Sequence, residues 1–491
     1  MKKITFIKTL LVLCFILSSL DANEFSDDKN ANKTSVVEEE LYDIINFGGG
    51  PTGITNACLV KALNPSIKIA VLDKRKYTTR DFGLTLNADS MDRVLLTITQ
   101  ADQTNPTVQQ LKSIYEKWKA QSIVKTSEIE DTLSDIATQL GIDVLRGPNY
   151  GVVDTKDLKT GLIIESAKNK FIRLMQGQYE ENNESEQKLA KLLSNASIIV
   201  GADGSHSVVR DVIGGQKTDI TPLHWTIQLK YQIKNSVKPV NGIQTTSTWI
   251  TEEYPVIHQM AKTTANPYKP VTDQFFVPKE IYDALIINDG ERTKGTSTDP
   301  WTIFEIEQME KSNPKISKIY NQMIRELARA EKLQGNPKAA KVSVLPIGLY
   351  RSDIVYKEIN GKICILAGDA YAGLALQRGA NNGQKAAAML AEAISYYLAG
   401  NDQAIEQYSA DVKEMTLYEM EKVELRSDTL TATDKALAPI RPFLRTIGNL
   451  SKIRKPVQSN AVEWSQPIPN QCLSSKFNVF NLKFWGYRGL A

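Results

Sequence analysis

At 491 residues, 42% of them hydrophobic and 23% charged, the chain can fill a large core but is too long for a single one, since cores stop growing at roughly 250 to 300 residues. Its 59 basic and 56 acidic side chains leave a formal charge of +3 with no basic stripe, which argues against nucleic acid as a partner. The three histidines, His206, His224 and His258, are scattered and the four cysteines show no CxxC spacing, so neither a metal site nor a disulfide scaffold is expected.

Residues 1–22 read as a signal peptide, because Lys2, Lys3 and Lys8 precede the apolar run Leu10–Leu20 and Ala22 offers a cleavage point. The run is shorter than the about 20 residues that span a membrane, and an uncleaved N-terminal anchor is the alternative. Either way the positive-inside rule puts the main domain outside the cytoplasm, so export to the periplasm or the medium is expected. Residues 23–40 are polar and aperiodic, a flexible leader.

Ordered pattern starts at Leu41. Tyr42–Phe47 predicts a buried strand, 48–53 a tight turn, Ile54–Leu63 a helix and Ile67–Leu72 a second strand, a βαβ unit with a parallel sheet. Helices follow over Val108–Ala120 and Ser127–Leu140, then a strand at Ile142–Leu145. Residues 148–175 alternate like hairpin strands, and Gln176–Lys191 reads as solvated loop or surface helix. The apolar strand Ser197–Val200 completes a first lobe, 41–215. The texture of 216–345 differs: strand-like runs at Trp225–Ile233, Thr245–Ile250 and Gln274–Val277, with a helix around Lys315–Leu333, predict a second, sheet-based lobe. Lys362–Ala367 and a helix from about Asn382 to Leu398 return the chain to the first lobe over 346–400, which is therefore discontinuous. Residues 401–491 form a helical C-terminal region, led by a helix near Ala404–Leu425 and closed by the aromatic tail Phe477–Tyr487.

Three constellations carry chemistry. The first is Gly48-Gly49-Gly50-Pro51-Thr52-Gly53, a GxGxxG set between strand and helix. Its first glycine permits the sharp turn, the second the approach of a pyrophosphate and the third close helix–strand packing, while the helix N-terminus offers N–H groups. Asp73, 20 residues after Gly53, is placed to accept hydrogen bonds from a ribose. The second is GADGSHSVVR over 201–210, in which Asp203 and Gly204 end a strand and turn away. An ordinary Asp-Gly turn with Arg210 on a solvated helix is the competing explanation. The third is Gly368-Asp369-Ala370 followed by Gly379-Ala380-Asn381-Asn382-Gly383 at a helix start. Here a carboxylate and free N–H groups would meet a polar cofactor, and capping by Asn381 or Asn382 is the alternative. Each plain explanation holds alone, but not all three in this order.

The ordered set FGGGPTG, VLDKR, GADGSHSVVR and AGDA followed by GANNG resembles the FAD-dependent aromatic hydroxylase class typified by para-hydroxybenzoate hydroxylase, over about residues 41–400. Arg80 and the nearby GLTL add a likeness to the monooxygenase domain of MICAL proteins. The resemblance implies an α/β fold, a discontinuous Rossmann-like FAD-binding lobe with a sheet-based substrate lobe. It also implies FAD as cofactor, NADPH or NADH as reductant, and oxygen transfer to a small organic substrate through a flavin C4a-hydroperoxide. By the same likeness Gly48, Gly50, Pro51, Thr52 and Gly53 hold the diphosphate, with Lys74 and Arg80 near it. Asp73 takes the adenosine ribose, Asp203 and Gly204 the cofactor face, and Asp369 with Gly368, Gly379, Ala380, Asn381 and Gly383 the ribityl chain and flavin.

Departures from the family pattern stand at Asp73 for the commoner Glu, at Glu130 where relatives carry Gln or Arg, and at Ala370-Tyr371-Ala372, which lacks the common His. Leu374-Ala375-Leu376 also lacks the usual Pro. No side chain is assigned as acid or base, and packing is expected of His224, Trp225 and Tyr231. A FAD-dependent reductase or dehydrogenase of a lipid-like substrate, and an exported FAD-binding protein with little catalysis, are the alternatives. The tail Phe477–Tyr487, with Lys483 and Arg488, suits either packing or peripheral membrane contact.

Overall fold

A computed structural model describes residues 41–77, 83–121, 123–157, 160–234, 244–247, 253–260, 268–288, 293–296, 299–330, 335–375, 378–437 and 439. The signal and leader segments, Arg80 and the aromatic tail lie outside the described residues.

The first lobe opens with β1 (Ile44–Phe47), α1 (Pro51–Leu63) and β2 (Ile69–Asp73). It continues through α2 (Ala88–Thr99), α3 (Pro106–Gln121), α4 (Thr126–Gln139), β3 (Asp143–Arg146), α5 (Ala167–Met175), α6 (Glu184–Asn195), β4 (Ile198–Gly201) and α7 (Val208–Ile213). Every residue of β1, β2 and β4 is buried, because helices cover both faces of a parallel sheet and the strands read as unbroken apolar runs.

The second lobe follows with β5 (Lys217–Lys234), β6 (Gln244–Ser247), β7 (Val256–Met260), β8 (Tyr268–Val277), α8 (Lys279–Leu285), α9 (Ile303–Ser312), α10 (Ser317–Arg329) and β9 (Lys341–Ser352). These strands make an antiparallel sheet in the order β6-β7-β8-β5-β9. Helices α8 to α10 supply its own core, with Ile281, Leu285, Ile303, Ile319 and Met323 against Ile227, Leu229 and Phe275. Because β9 pairs with β5 as far as Ser352, the expected edge of this lobe at 345 falls inside a continuous strand.

The chain then returns through β10 (Tyr356–Ile359), β11 (Lys362–Leu366), α11 (Arg378–Leu398) and the long α12 (Ala404–Leu437). The parallel sheet has the order β10-β11-β4-β1-β2-β3, with only β10 antiparallel. The architecture is α/β, a doubly wound lobe in two chain segments beside an antiparallel lobe, with helices toward the C-terminus.

Two expectations are corrected. Residues 167–175 form a helix rather than a hairpin strand: Ser166 caps it by accepting from Asn169 N–H, and Phe171, Leu174 and Met175 pack inward at helical spacing. Among the described residues of that stretch only 155–156 and 163–165 pair as a hairpin. The stretch 176–191 takes the second of its two expected forms and runs into a helix, α6, whose Leu189, Ala190, Leu192 and Leu193 are buried on one face. Helix α11 begins at Arg378, so Gly379–Gly383 lie inside its first turns instead of ahead of it.

Candidate functional site

The register Phe47↔Leu72 and Phe47↔Gly201 brings the C-terminal ends of β2 and β4 to the turn after β1. Ligands of doubly wound sheets bind at this edge. Gly48 has φ +110°, and a Cβ there would lie 2.3 Å from the Ala202 carbonyl oxygen. A Cβ on Gly53 would lie 2.0 Å from the Gly48 carbonyl oxygen. Both glycines are fixed by packing.

Gly50 is not. Among the described residues a Cβ there would meet only Glu130 Oε1, at 4.0 Å, so they give no steric reason for glycine at that position. Gly50 is also the N-cap of α1, with no side-chain cap and no acidic residue in the first turn. The first N–H groups of α1 therefore face an open cradle, and the helix end adds about half a positive charge. A dinucleotide phosphate fits such a cradle.

The third constellation closes on the first through Thr52. Its Oγ1 would lie 2.8 Å from a Cβ on Gly368 and 2.3 Å from one on Gly383. Gln384, which the sequence did not single out, completes the join. Its Nε2 donates to the Pro51 carbonyl (3.3 Å), and its Oε1 accepts from Thr55 Oγ1 (3.2 Å) and Tyr115 Oη (3.1 Å). Asp369 is exposed, with its Oδ1 3.2 Å from the Cβ position of Gly379. Asn381 Oδ1 accepts from Asn87 N–H at 2.8 Å, so Asn381 ties the helix start to a neighbouring loop rather than capping its own helix there. Starting at Arg378, α11 leaves the N–H groups of Gly379 and Ala380 in its first turn, where a helix supplies no intrahelical acceptors.

The second constellation adjoins the same edge. Gly204, at φ +88°, turns the chain away, and Asp203 Oδ2 accepts from Val208 N–H at 2.7 Å. Arg210 is 4% exposed instead of solvated. It donates from Nη1 to the Ala370 carbonyl (3.1 Å) and from Nη2 to the Ser205 carbonyl (2.9 Å), joining the second and third constellations. Tyr350 on β9, another residue without a sequence signal, donates to the Asp369 carbonyl at 2.6 Å. Its ring lies under Lys217, 4.3 Å from ring centre to Nζ, and fills the space where Gly373 lacks a side chain.

The Asp203 carboxylate has one oxygen, Oδ1, shut off from solvent without a hydrogen bond. Burial pushes its carboxyl up to about 6 from 3.8, against the Ser207 hydroxyl and the Val208 N–H, which favour the anion. The folded chain thus holds this proton more tightly than the unfolded one, and the stability it contributes is full below about pH 4 and lost as pH rises through about 6. An Asp203→Asn variant should gain about 2 to 3 kcal/mol on the wild type between about pH 3.5 and about pH 7.5 in urea unfolding. A difference that stays flat with pH would contradict this.

Lys74 is exposed, with its stem against Gly151, and the next residue turns back instead. Arg75 donates to Asp73 from Nη2 (2.6 Å) and Nε (3.1 Å) and reaches Glu130 Oε1 from Nη1 (3.4 Å). Burial works against the Asp73 charge, but the hydrogen bonds and charge of Arg75 outweigh it and hold the carboxyl below its ordinary range. His224, Trp225 and Tyr231 have neighbours that suit packing. His224 meets Phe276 edge-on and Ser427 at 3.2 Å, Trp225 lies on Tyr282, and Tyr231 Oη donates to Asp273 at 3.0 Å.

Helix α12 covers the segment after Ala370: Met420 and Val423 pack with Leu349, Leu374 and Ala375, and Glu419 accepts from Arg378 Nη1 at 2.8 Å. Beside them a cleft of about 330 Å³ opens between Thr221–Leu223 and the α12 residues Glu424, Ser427, Asp428 and Thr431.

No family model and no curated protein matches the chain. Among solved structures it is similar to OxyS, an anhydrotetracycline hydroxylase from Streptomyces rimosus, at 15% identity over 84% of this chain and 73% of that one, with a TM-score of 0.44. It is similar to CabE, an aromatic hydroxylase from angucycline biosynthesis, at 12% identity over 83% and 73% (TM-score 0.45). It is also similar to the flavin-dependent brominase Bmp2, at 13% identity over 84% and 99% (TM-score 0.43).

Proposed function

We propose that the chain is an FAD-dependent oxidoreductase and, within that class, a monooxygenase that uses NADH or NADPH to place one oxygen atom of O₂ on a small organic substrate, the other leaving as water. One observation carries the reading. Three separate stretches, 48–53, 203–210 and 368–375 with 378–383, converge on one sheet edge, and among the described residues no side chain fills the room that Gly50 leaves there.

In this reading the N–H groups at the start of α1 hold the diphosphate, while those of Gly379 and Ala380 face the flavin end. Asp369 takes the ribityl hydroxyls, and Asp73 orients the ribose within the limits that Arg75 sets. FAD, when bound, supplies the redox chemistry, taking up a hydride and passing electrons to oxygen. The protein binds, orients and keeps water out, with α12 over Leu374 and Ala375 as the closing element. The cleft beside His224 and Ser427 is the proposed entry of the substrate. Export directed by residues 1–22 belongs to the same proposal.

An absorption spectrum of the purified protein, with the released cofactor identified, tests the first step: a stoichiometric FAD spectrum is expected. NAD(P)H oxidation in air and under nitrogen tests the second. Substrate-dependent oxidation that stops under nitrogen supports oxygen transfer, whereas equal rates would favour a reductase. A colourless protein that takes up no added FAD would overturn the reading.

A further inference from the structure

We propose that Arg75 is the positioning residue that lets this glycine turn accept a diphosphate, by holding on one guanidinium two carboxylates that the fold has set beside it. The proposal rests on the FAD reading above. Asp73 Oδ2 lies 3.0 Å from the Cβ position of Gly49, and Glu130 Oε1 lies 4.0 Å from that of Gly50. Their side chains are only 4% and 0% exposed, so solvent screens neither. Asp73 is the expected ribose partner, while Glu130 brings a second carboxylate beside the N-terminus of α1.

The charges can be weighed. The helix end contributes about half a positive charge, and two carboxylates against it would leave the turn repelling phosphate. Arg75 reaches both, Asp73 from Nη2 at 2.6 Å and Glu130 from Nη1 at 3.4 Å, and removes most of that repulsion. At 21% exposure its side chain stays partly open to solvent. Asp73 thereby has both oxygens engaged: Oδ1 by Arg75 N–H and Nε, Oδ2 by Nη2. A ribose must share these oxygens rather than find them free.

A ranking of FAD affinities follows from charge alone. Glu130→Gln removes one negative charge and should bind FAD more tightly than the wild type. Arg75→Gln exposes two carboxylates and should bind more weakly. The double variant carries the same local charge as the wild type and should return to it. Each step should change the dissociation constant on the order of tenfold, as for one unit charge close to a partly screened anion.

The test is titration of FAD into the four apo-proteins, followed by flavin fluorescence, with thermal melting of each without FAD to show that it folds. Tighter binding by E130Q, weaker binding by R75Q and recovery in the double variant would support the proposal. If Arg75 only braced the turn, E130Q would leave FAD affinity unchanged or lower, and the double variant would bind no better than R75Q; either outcome overturns it. A wild type that does not bind FAD would sink the FAD reading itself, a result distinct from any ranking among binding variants.

Discussion

A chain carrying Gly53→Ala should fail to accumulate as folded protein, while Gly50→Ala should fold and lose FAD. The two positions lie three residues apart in one motif, yet the structure gives them different work. A methyl at 53 would stand 2.0 Å from a backbone carbonyl of the same turn and 3.1 Å from Ala202 Cβ. No side-chain rotation relieves a clash with backbone, so α1 would have to lift from β1, at a cost above about 3 kcal/mol. At 50 the backbone is extended, with φ −74° and ψ 176°, which alanine adopts without strain. Among the described residues a methyl there meets only a carboxylate oxygen at 4.0 Å, and the loss of an N-cap glycine should cost no more than about 1 kcal/mol. The same methyl occupies the approach to the first N–H groups of α1, so FAD affinity should fall at least about tenfold. Circular dichroism melts with FAD titration separate the two effects. A Gly50→Ala protein that binds FAD like the wild type would mean that the cradle is not where the diphosphate sits.

That contrast also marks what could be read without a structure. The buried strands IINF, IAVLD and IIVG were legible because helices on both faces of a parallel sheet demand unbroken apolar runs, and the glycine turn between the first strand and its helix was legible from order alone. The division of work among the three glycines is also read from their order, but the atoms that enforce it are not, since Ala202 and Asp203 meet Gly48 across the sheet from more than 150 residues away in sequence. Helix α11 begins early for the same reason. Gly379 and Gly383 are poor helix formers, but Leu374, Asp369 and Thr52 leave no room for larger residues, so tertiary packing overrides propensity. The helix at 167–175 was hidden because FIRLM reads equally well as a short strand, and only nine residues were available to show a period. Arg75 stands in the motif VLDKR, but the role proposed for it could not be read there, because it depends on Glu130, which arrives from α4.

Replacing Arg210 by Met should cost about 2 to 4 kcal/mol of stability and weaken FAD binding with it. The guanidinium is buried, yet its nearest carboxylate, on Asp211, is 4.0 Å away and 57% exposed. What holds it is a fork of two carbonyls, Ser205 from the second constellation and Ala370 from the third, with the Tyr350 ring 5.8 Å away. Methionine keeps most of the stem's packing but leaves both carbonyls without their donor, so the cost comes from unpaired polar groups rather than from a cavity. Lysine supplies charge but a single compact head, and should recover one bond and part of the loss. The effect on FAD follows from position: Ala370 adjoins Asp369, whose carbonyl Tyr350 holds, so loosening the fork frees the segment expected to carry the ribityl chain. Urea unfolding of R210M and R210K, alongside FAD titration, measures both consequences. Wild-type stability in R210M would show that the fork is incidental, whereas lost stability with unchanged FAD affinity would separate the join between constellations from the cofactor site and place the ribityl contact elsewhere.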